Sequence, residues 1–238
     1  MLHQLALIIT IGVQLALLQA PVAQGNTTGE ADVGALKIVP RTDGPRVVIS
    51  GQSTEAERRL QADVWTLSEF AFLPPRLITI DIPGRGRRLV WYLVYRVVNT
   101  SKEPRLFVPR FELKTDTGHV YRDVVIPKAQ FVIQATEDPL TPLANSVTIC
   151  GLIPPSTEEG VRHAVYGVAT WVDVDPETDA FSIFVRGLSN GFRVIDNPQT
   201  GERVVLHKEL ELRFARPGDE FEPTSREIRF LEAQWVYR

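Results

Sequence analysis

The sequence predicts an all-β fold, either a sandwich or a barrel. From Val64 onward, apolar residues recur at every second position, as in half-buried strands. Glycine-, proline- and aspartate-rich turns separate these segments at hairpin spacing, which gives about nine strands. Only one segment has a clear helical pattern. A chain of 238 residues can bury a core without disulfides.

The sequence predicts that the chain divides into three parts. Residues 1–25 contain no charged side chain, and residues 26–52 are rich in glycine, threonine, proline and charge, as in a linker or a loosely attached arm. Residues 53–238 are predicted to be a single domain, because no internal repeat divides them. It opens with a short exposed helix over Ser53 to Asp63, capped by Ser53 or Thr54.

The strongest strand is predicted over Leu89 to Val98, after a strand over Leu77 to Ile82 that Pro83-Gly84 ends. Both the odd and the even positions of Leu89 to Val98 are apolar, so this strand should be central, with both faces covered. A two-sheet arrangement covers only one face. We therefore expect the helix near Leu60, or the N-terminal arm, to lie over the other.

Two hairpins and two further segments follow. The first hairpin joins Leu106–Leu113 to His119–Val125, with Pro109 marking an edge or a bulge, and the second joins Val165–Val174 to Phe181–Gly187. Val147 to Leu152 is predicted as a short strand, and Pro127 to Thr136 stays ambiguous because Pro127 also suits the first position of a helix.

The last two strands are Val204 to Phe214 and Ile228 to Tyr237. In the former, Val204, Leu206, Leu210, Leu212 and Phe214 should face inward, whereas Val205, His207, Glu209, Glu211 and Arg213 should face solvent. In the latter, the apolar phase slips near Phe230-Leu231, which predicts a β-bulge.

The first 25 residues are typical of an export signal. Their apolar core of about 14 residues is shorter than the roughly 20 that a spanning helix needs, and small residues follow it, with cleavage expected after Gly25. The segment lacks the usual basic start, so an uncleaved membrane anchor is the alternative. We expect the protein in the periplasm or outside the cell, and in contact with a membrane only if this segment is retained.

Charge and cysteine content narrow the function further. A net charge of −3 argues against nucleic acid or an anionic membrane as the main partner. Cys150 is the single cysteine, so no intrachain disulfide forms, and its apolar neighbours predict a buried, inert thiol.

Two resemblances rest on particular segments. Val90 to Asp123, with a strand ending in Val-x-Asn and an Asp-x-Gly turn, resembles the immunoglobulin-like modules of exported bacterial proteins. Over its full length the chain is similar to uncharacterised exported proteins of planctomycete-type bacteria, through VWYLVYRVVN, GVATWVDVDPETDAFSIFVRGLSNGF, RPGDEF and EAQWVYR. These resemblances imply export and an immunoglobulin-like antiparallel β-sandwich, and they imply no chemistry.

A stretch of alternating acidic residues, which we call the acidic run, is the one candidate metal site, and no other cofactor is predicted. Its alternating carboxylates resemble the start of a calcium loop, where oxygen ligands surround a hard cation; they belong to Asp173, Asp175, Glu177 and Asp179. The glycine and glutamate that complete an EF-hand loop are missing, since Thr178 and Phe184 stand there. A solvated turn is the alternative interpretation.

The other candidates are weaker. Three arginines in Pro83 to Arg88 could hold an anion or simply form a turn. The four histidines lack zinc-ligand spacing, and the tryptophans and tyrosines have the spacing of core residues more than of a sugar platform.

No catalytic motif is present. We therefore predict a non-enzymatic protein that acts by binding or structural contact in the cell envelope or the extracellular space, with an unidentified envelope protein or polysaccharide as its partner. The alternatives are a dedicated carbohydrate- or envelope-polymer-binding module, and a hydrolase whose site combines Cys150 with a histidine and an acid.

Overall fold

The computed structural model describes residues 47–137, 140–156, 163–197, 199–216 and 228–238, which form thirteen strands and two helices. In chain order the elements are β1 (Val47–Ser50), α1 (Glu55–Leu60), β2 (Glu69–Phe72), β3 (Arg76–Ile82), β4 (Gly86–Val98), β5 (Arg105–Phe107), β6 (Arg110–Thr115), β7 (Val120–Arg122), α2 (Pro127–Glu137), β8 (Gly151–Ile153), β9 (Ala164–Val172), β10 (Ala180–Arg186), β11 (Phe192–Asp196), β12 (Arg203–Ala215) and β13 (Arg229–Tyr237).

The fold is mainly β, as predicted, and its sheets are antiparallel. The estimate of about nine strands was too low, because strands of three or four residues, such as β1, β5, β7 and β8, are too short to show a period. Residues 1–25 and most of 26–52 lie outside the described residues, although Val47–Ser50, at the end of the predicted linker, forms β1.

The strands form a five-stranded, a six-stranded and a two-stranded sheet. In the first, β4 pairs with β2 and β3 along one edge and with β9 along the other, and β1 extends β2. The second has the order β11-β12-β10-β6-β7, with β13 also on β12. The third consists of β5 and β8.

Strand β4 lies at the centre of the first sheet with both faces buried, as predicted. Its odd-numbered side chains enter a core shared with the second sheet, where the rings of Trp91 and Phe181 are 5.2 Å apart. Its even-numbered side chains, including Val90, Tyr92 and Val94, belong to a second core.

Helix α2 covers this second core in place of the expected helix near Leu60, and the other expected cover, the N-terminal arm, lies mostly outside the described residues. Ala129 and Ile133 of α2 are fully buried against the sheet, whereas Leu60 of α1 is 77% exposed. Glu137 fixes the end of α2, because its carboxylate accepts hydrogen bonds from Tyr92 Oη at 2.7 Å and from Arg76 Nη1 at 2.8 Å. The ambiguous segment is therefore a helix with Pro127 at its first position.

Three other local predictions need correction. The strand predicted over Leu106 to Leu113 is divided at Val108-Pro109, where the proline supplies no N–H to a ladder, and its parts pair with different strands. Val147 to Leu152 is mostly a turn, because the Asn145 side chain accepts from the backbone N–H groups of Val147 and Thr148 at 3.0 and 2.9 Å. Only its end enters β8.

The third correction concerns the second predicted hairpin. Strand β9 belongs to the first sheet and β10 to the second, so residues 173–179 pass between sheets and do not form a hairpin turn. This seven-residue connection exceeds the two to five residues of ordinary hairpin loops. Asp173 starts it with a φ of 56°, in the left-handed region that non-glycine residues seldom adopt.

Several predictions are confirmed. Helix α1 begins after Thr54, whose side chain and Glu57 form a reciprocal capping box. Strands β6 and β7 form the first hairpin, with Gly118 at a φ of 88°. The β12–β13 register shifts where Phe214 pairs with Phe230 and Arg213 with Glu232, which leaves Leu231 as the extra residue of the predicted bulge. No described helix has the length and apolar character to cross a membrane.

Candidate functional site

The predicted calcium residues lie together on the connection between β9 and β10, but the carboxylates of Asp173 and Asp175 have other partners. Asp173 pairs with Arg85 of the predicted arginine loop at 2.7 Å and lies 3.9 Å from Arg88. The structure thus brings two separately predicted candidates, one acidic and one basic, into contact with each other.

Asp175 is held within its own turn. It accepts a hydrogen bond from the Glu177 backbone N–H at 3.0 Å, and His119 Nδ1 lies 3.4 Å away. The backbone bond from Glu177, followed by a bond from Thr117, lowers the pKa of the Asp175 carboxyl. Such bonds are those of an Asx turn.

Asp179 forms its hydrogen bond through the backbone: its N–H donates to the Asp116 carboxylate at 3.3 Å. Within the described ranges no three His, Cys, Asp or Glu side chains are grouped so as to hold a metal ion. Calcium binding at Asp173, Asp175, Glu177 and Asp179 stays a prediction.

Cys150 is exposed, contrary to the sequence-based prediction of a buried thiol. Its expected apolar neighbours Val147 and Leu152 are themselves 69% and 68% exposed, because this stretch is a turn and not a strand with a buried face. The Cys150 Sγ donates to the Ser146 carbonyl at 3.2 Å.

The aromatic residues have mainly structural positions. Trp91, Trp171 and Tyr92 are almost completely buried, and Trp235 is 8% exposed, which confirms the prediction of core residues. Tyr237 is half-buried, and its hydroxyl donates to Glu57.

The outer face of the six-stranded sheet is the most distinctive polar surface in the structure. The inward side chains of its three central strands are fully buried: Phe111, Leu113, Ile183, Val185, Leu210 and Leu212. The alternate positions of β6, β10 and β12 point the other way, and they carry Arg110, Glu112, Phe184, Arg186, Glu209 and Glu211. We call these six residues, together with Arg238, the charged face.

Cross-strand register brings this set together. Arg186 pairs with Arg110 and Phe184 with Glu112 across β10 and β6, and Phe184 also pairs with Glu211 across β10 and β12. Arg238, which follows β13, donates to Glu112 and places its guanidinium 4.0 Å from the centre of the Phe184 ring. The ring and carboxylate thereby fix the position of an arginine.

A polar cavity of about 170 Å³ opens on the charged face and is lined by Arg110, Glu112, Arg186, Glu209 and Arg238. Glu209 is only 8% exposed, yet in the described part of the chain its carboxylate accepts no hydrogen bond. Its nearest cation is Arg238, with Nε 3.7 Å from Oε2, which is beyond hydrogen-bond distance. Burial raises the pKa of the Glu209 carboxyl, an effect that the neighbouring arginines, Arg238 foremost, oppose.

The second charged group of interest in the cavity is Arg186. Among the described residues it forms no ion pair, although it lies close enough to His207 to lower the pKa of that imidazole, which burial lowers more strongly. The cavity therefore combines a carboxylate that accepts no hydrogen bond from the described residues with a guanidinium that forms no ion pair among them.

A second, open cleft of about 250 Å³ lies farther along the same strands, and its lining includes Lys114, Ser182, Phe184, Glu211 and Arg213. Here the polar groups satisfy each other: Glu211 accepts from Ser182 and from Gln234, each at 2.7 Å. Phe184 lies between this cleft and the polar cavity.

The sequence placed Glu209 and Glu211 on the face of β12 opposite the core, which is correct, but the predicted exposure of Glu209 to solvent was wrong, because Glu209 is 8% exposed. The sequence missed the site because β6 and β10 are far from β12 in sequence, and only strand register brings Arg110 and Arg186 beside Glu209. No periodicity within one strand carries that information.

No protein-family model, no curated protein and no solved structure matches this chain.

Proposed function

We propose that this is an exported, non-enzymatic protein with an immunoglobulin-like β-sandwich that functions by binding a component of the cell envelope or extracellular space through the charged face. The observation that carries the proposal is the Glu209 carboxylate, which lines an open cavity, lies 3.7 Å from Arg238 Nε and accepts no hydrogen bond from the described residues. A ligand that displaces water from this carboxylate must supply the hydrogen-bond donor itself.

The other surfaces support a binding role less well. Helix α2 covers the outer side of the first sheet, and the acidic run is engaged by Arg85 and by its own turn. The charged face, in contrast, is built on strands whose opposite sides are fixed in the core. Rigid elements hold polar side chains more accurately than loops do.

The test is capture of envelope material by the mature chain, which is the chain without residues 1–25. The wild type is compared with the variants Arg186→Gln and Glu209→Gln. Arg87→Gln is the control, because Arg87 is an exposed arginine on β4 of the other sheet. We expect the two charged-face variants to lose captured material and the control to retain it. Equal capture by all four proteins would refute the proposal.

Export has its own test. Amino-terminal sequencing of the protein recovered from its native cells should begin at Asn26 if the first 25 residues are cleaved. Recovery of the intact Met1 terminus from a soluble cytoplasmic fraction would contradict export.

A further inference from the structure

The polar cavity on the charged face has a composition that restricts its ligand. Three guanidinium groups, from Arg110, Arg186 and Arg238, meet two carboxylates, from Glu112 and Glu209. Arg238 donates to Glu112 and lies 3.7 Å from Glu209, and Arg110 lies 3.9 Å from Glu112, so Arg186 is the guanidinium of the cavity that has no ion pair among the described residues. Arginine is suited to bidentate recognition of carboxylates and phosphates, so the cationic excess favours an anionic ligand group.

Glu209 adds a second requirement. An ionised carboxylate only accepts hydrogen bonds, so the ligand must also present a donor within reach of it. A simple anion cannot do this, because it would supply acceptors alone and would repel Glu209. The ligand must therefore carry an anionic group and hydroxyl or amide donors close together.

The surroundings favour a polymer. The cavity and the larger cleft lie along the same strands on either side of Phe184. The distance from Arg110 to Lys114, four residues along β6, corresponds to about 14 Å at about 3.4 Å per residue. A ligand that filled both depressions would extend past Phe184 and the Arg238 guanidinium, which lies 4.0 Å from the centre of the Phe184 ring.

On the basis of the proposed binding function, we propose that the charged face binds an acidic polysaccharide, and that the cavity lined by Arg186 and Glu209 holds one uronic-acid residue of it. The sugar carboxylate accepts from Arg186 and Arg110, and a ring hydroxyl donates to Glu209. Adjacent sugar residues extend past Phe184 and Arg238 toward Lys114.

The probe is polygalacturonate, and the measurement is retardation of the mature protein in a native gel that contains it. Neutral dextran and dextran sulfate serve as comparison polymers. We expect retardation by polygalacturonate, none by dextran, and about 10- to 100-fold weaker binding for Arg186→Gln, as for loss of a charge-assisted hydrogen bond. The Arg87→Gln control should bind like the wild type.

The Glu209→Gln variant distinguishes specific recognition in the cavity from general electrostatic attraction between the protein and the polyanion. This variant makes the protein more positive by one charge, so non-specific attraction to a polyanion would strengthen its binding. A hydrogen bond from a sugar hydroxyl to the Glu209 carboxylate predicts the opposite, a loss of about 10-fold. Circular dichroism and thermal melting confirm that each variant is folded.

Three results would overturn the inference: no retardation by polygalacturonate, equal or tighter binding of Glu209→Gln, or binding to dextran sulfate that matches binding to polygalacturonate in every variant. The envelope capture described above distinguishes this failure from that of the proposed function. If capture still depends on Arg186 and Glu209, the face binds something other than a uronic acid. If it does not, the binding function itself is wrong.

Discussion

At the scale of single residues, the most consequential group in the structure is a buried ion pair. Lys208 Nζ donates to Glu57 Oε2 at 2.8 Å, and the two residues are 3% and 7% exposed. Lys208 also donates to the Gln52 carbonyl at 3.0 Å, and Tyr237 donates to Glu57. The pair joins α1 to β12 and β13, across 151 positions of sequence.

Glu57→Gln should lower the free energy of unfolding by about 3–5 kcal/mol, because removing one partner leaves the other charge buried and unpaired. Denaturation by urea measures this. Glu55→Gln, on the same helix with a side chain 67% exposed, is the matched control and should change the free energy by less than about 0.5 kcal/mol. Similar losses in both variants would contradict the assigned role of Glu57.

The same cluster predicts a pH dependence at the alkaline end. Burial, and then the hydrogen bond to Glu57, raise the pKa of Tyr237 to about 12 from an ordinary value of 10. A folded-state pKa above the unfolded value gives stability that is complete below pH about 10 and lost as pH rises toward about 12. The stability difference between the wild type and Tyr237→Phe should therefore shrink over this interval. A difference that stays constant with pH would contradict the raised pKa.

At the scale of elements, the covering of β4 shows what a pattern can and cannot predict. Two apolar faces on one strand require cover on both sides, and both sides are covered. The identity of the cover could not be deduced, because α2 has a weak amphipathic pattern, with Phe131 76% exposed and Ile133 completely buried. Only the position of the sheet decides which of these side chains enters the core.

This arrangement is tested by alanine substitutions on α2. Ile133→Ala should destabilise the fold by about 2–5 kcal/mol, since it removes a fully buried side chain and leaves a cavity beneath the helix. Phe131→Ala should change the free energy of unfolding by less than about 0.5 kcal/mol, because the ring is mainly in solvent. Chemical denaturation of both variants gives the comparison, and the reverse order of losses would place the other face of α2 against the sheet.

At the scale of the whole molecule, the sequence predicted several caps, turns and bulges correctly, but it did not predict which sheet each strand joins. The α1 cap, the β6–β7 turn and the bulge at Leu231 depend on neighbouring residues, and all three are confirmed. The passage of residues 173–179 between sheets was missed, because alternating strands on either side of a turn resemble a hairpin whichever sheet each strand joins. The contact between Arg85 and Asp173 results from that passage, and it could not be predicted from the sequence either.

The charged face likewise depends on which strands are neighbours in the sheet. The face of β12 that carries Glu209 was correctly predicted but its exposure to solvent was not, since Glu209 is buried in a cavity that depends on the register of three strands distant in sequence. The function assigned to this face is consequently a property of the assembled sheet. A measurement on the intact molecule tests it best.

Hydroxyl-radical footprinting of the mature chain, with and without solubilised envelope extract, is the most direct test of binding through the charged face. We predict reduced modification of Phe184, with protection of the β10 and β12 peptides, and unchanged modification of Leu106, Leu152 and Phe131. Those three side chains are 55%, 68% and 76% exposed on the β5–β8 ribbon and on α2, so they report on the competing surfaces. Protection of Leu106, Leu152 or Phe131 while Phe184 stays fully reactive would contradict the account.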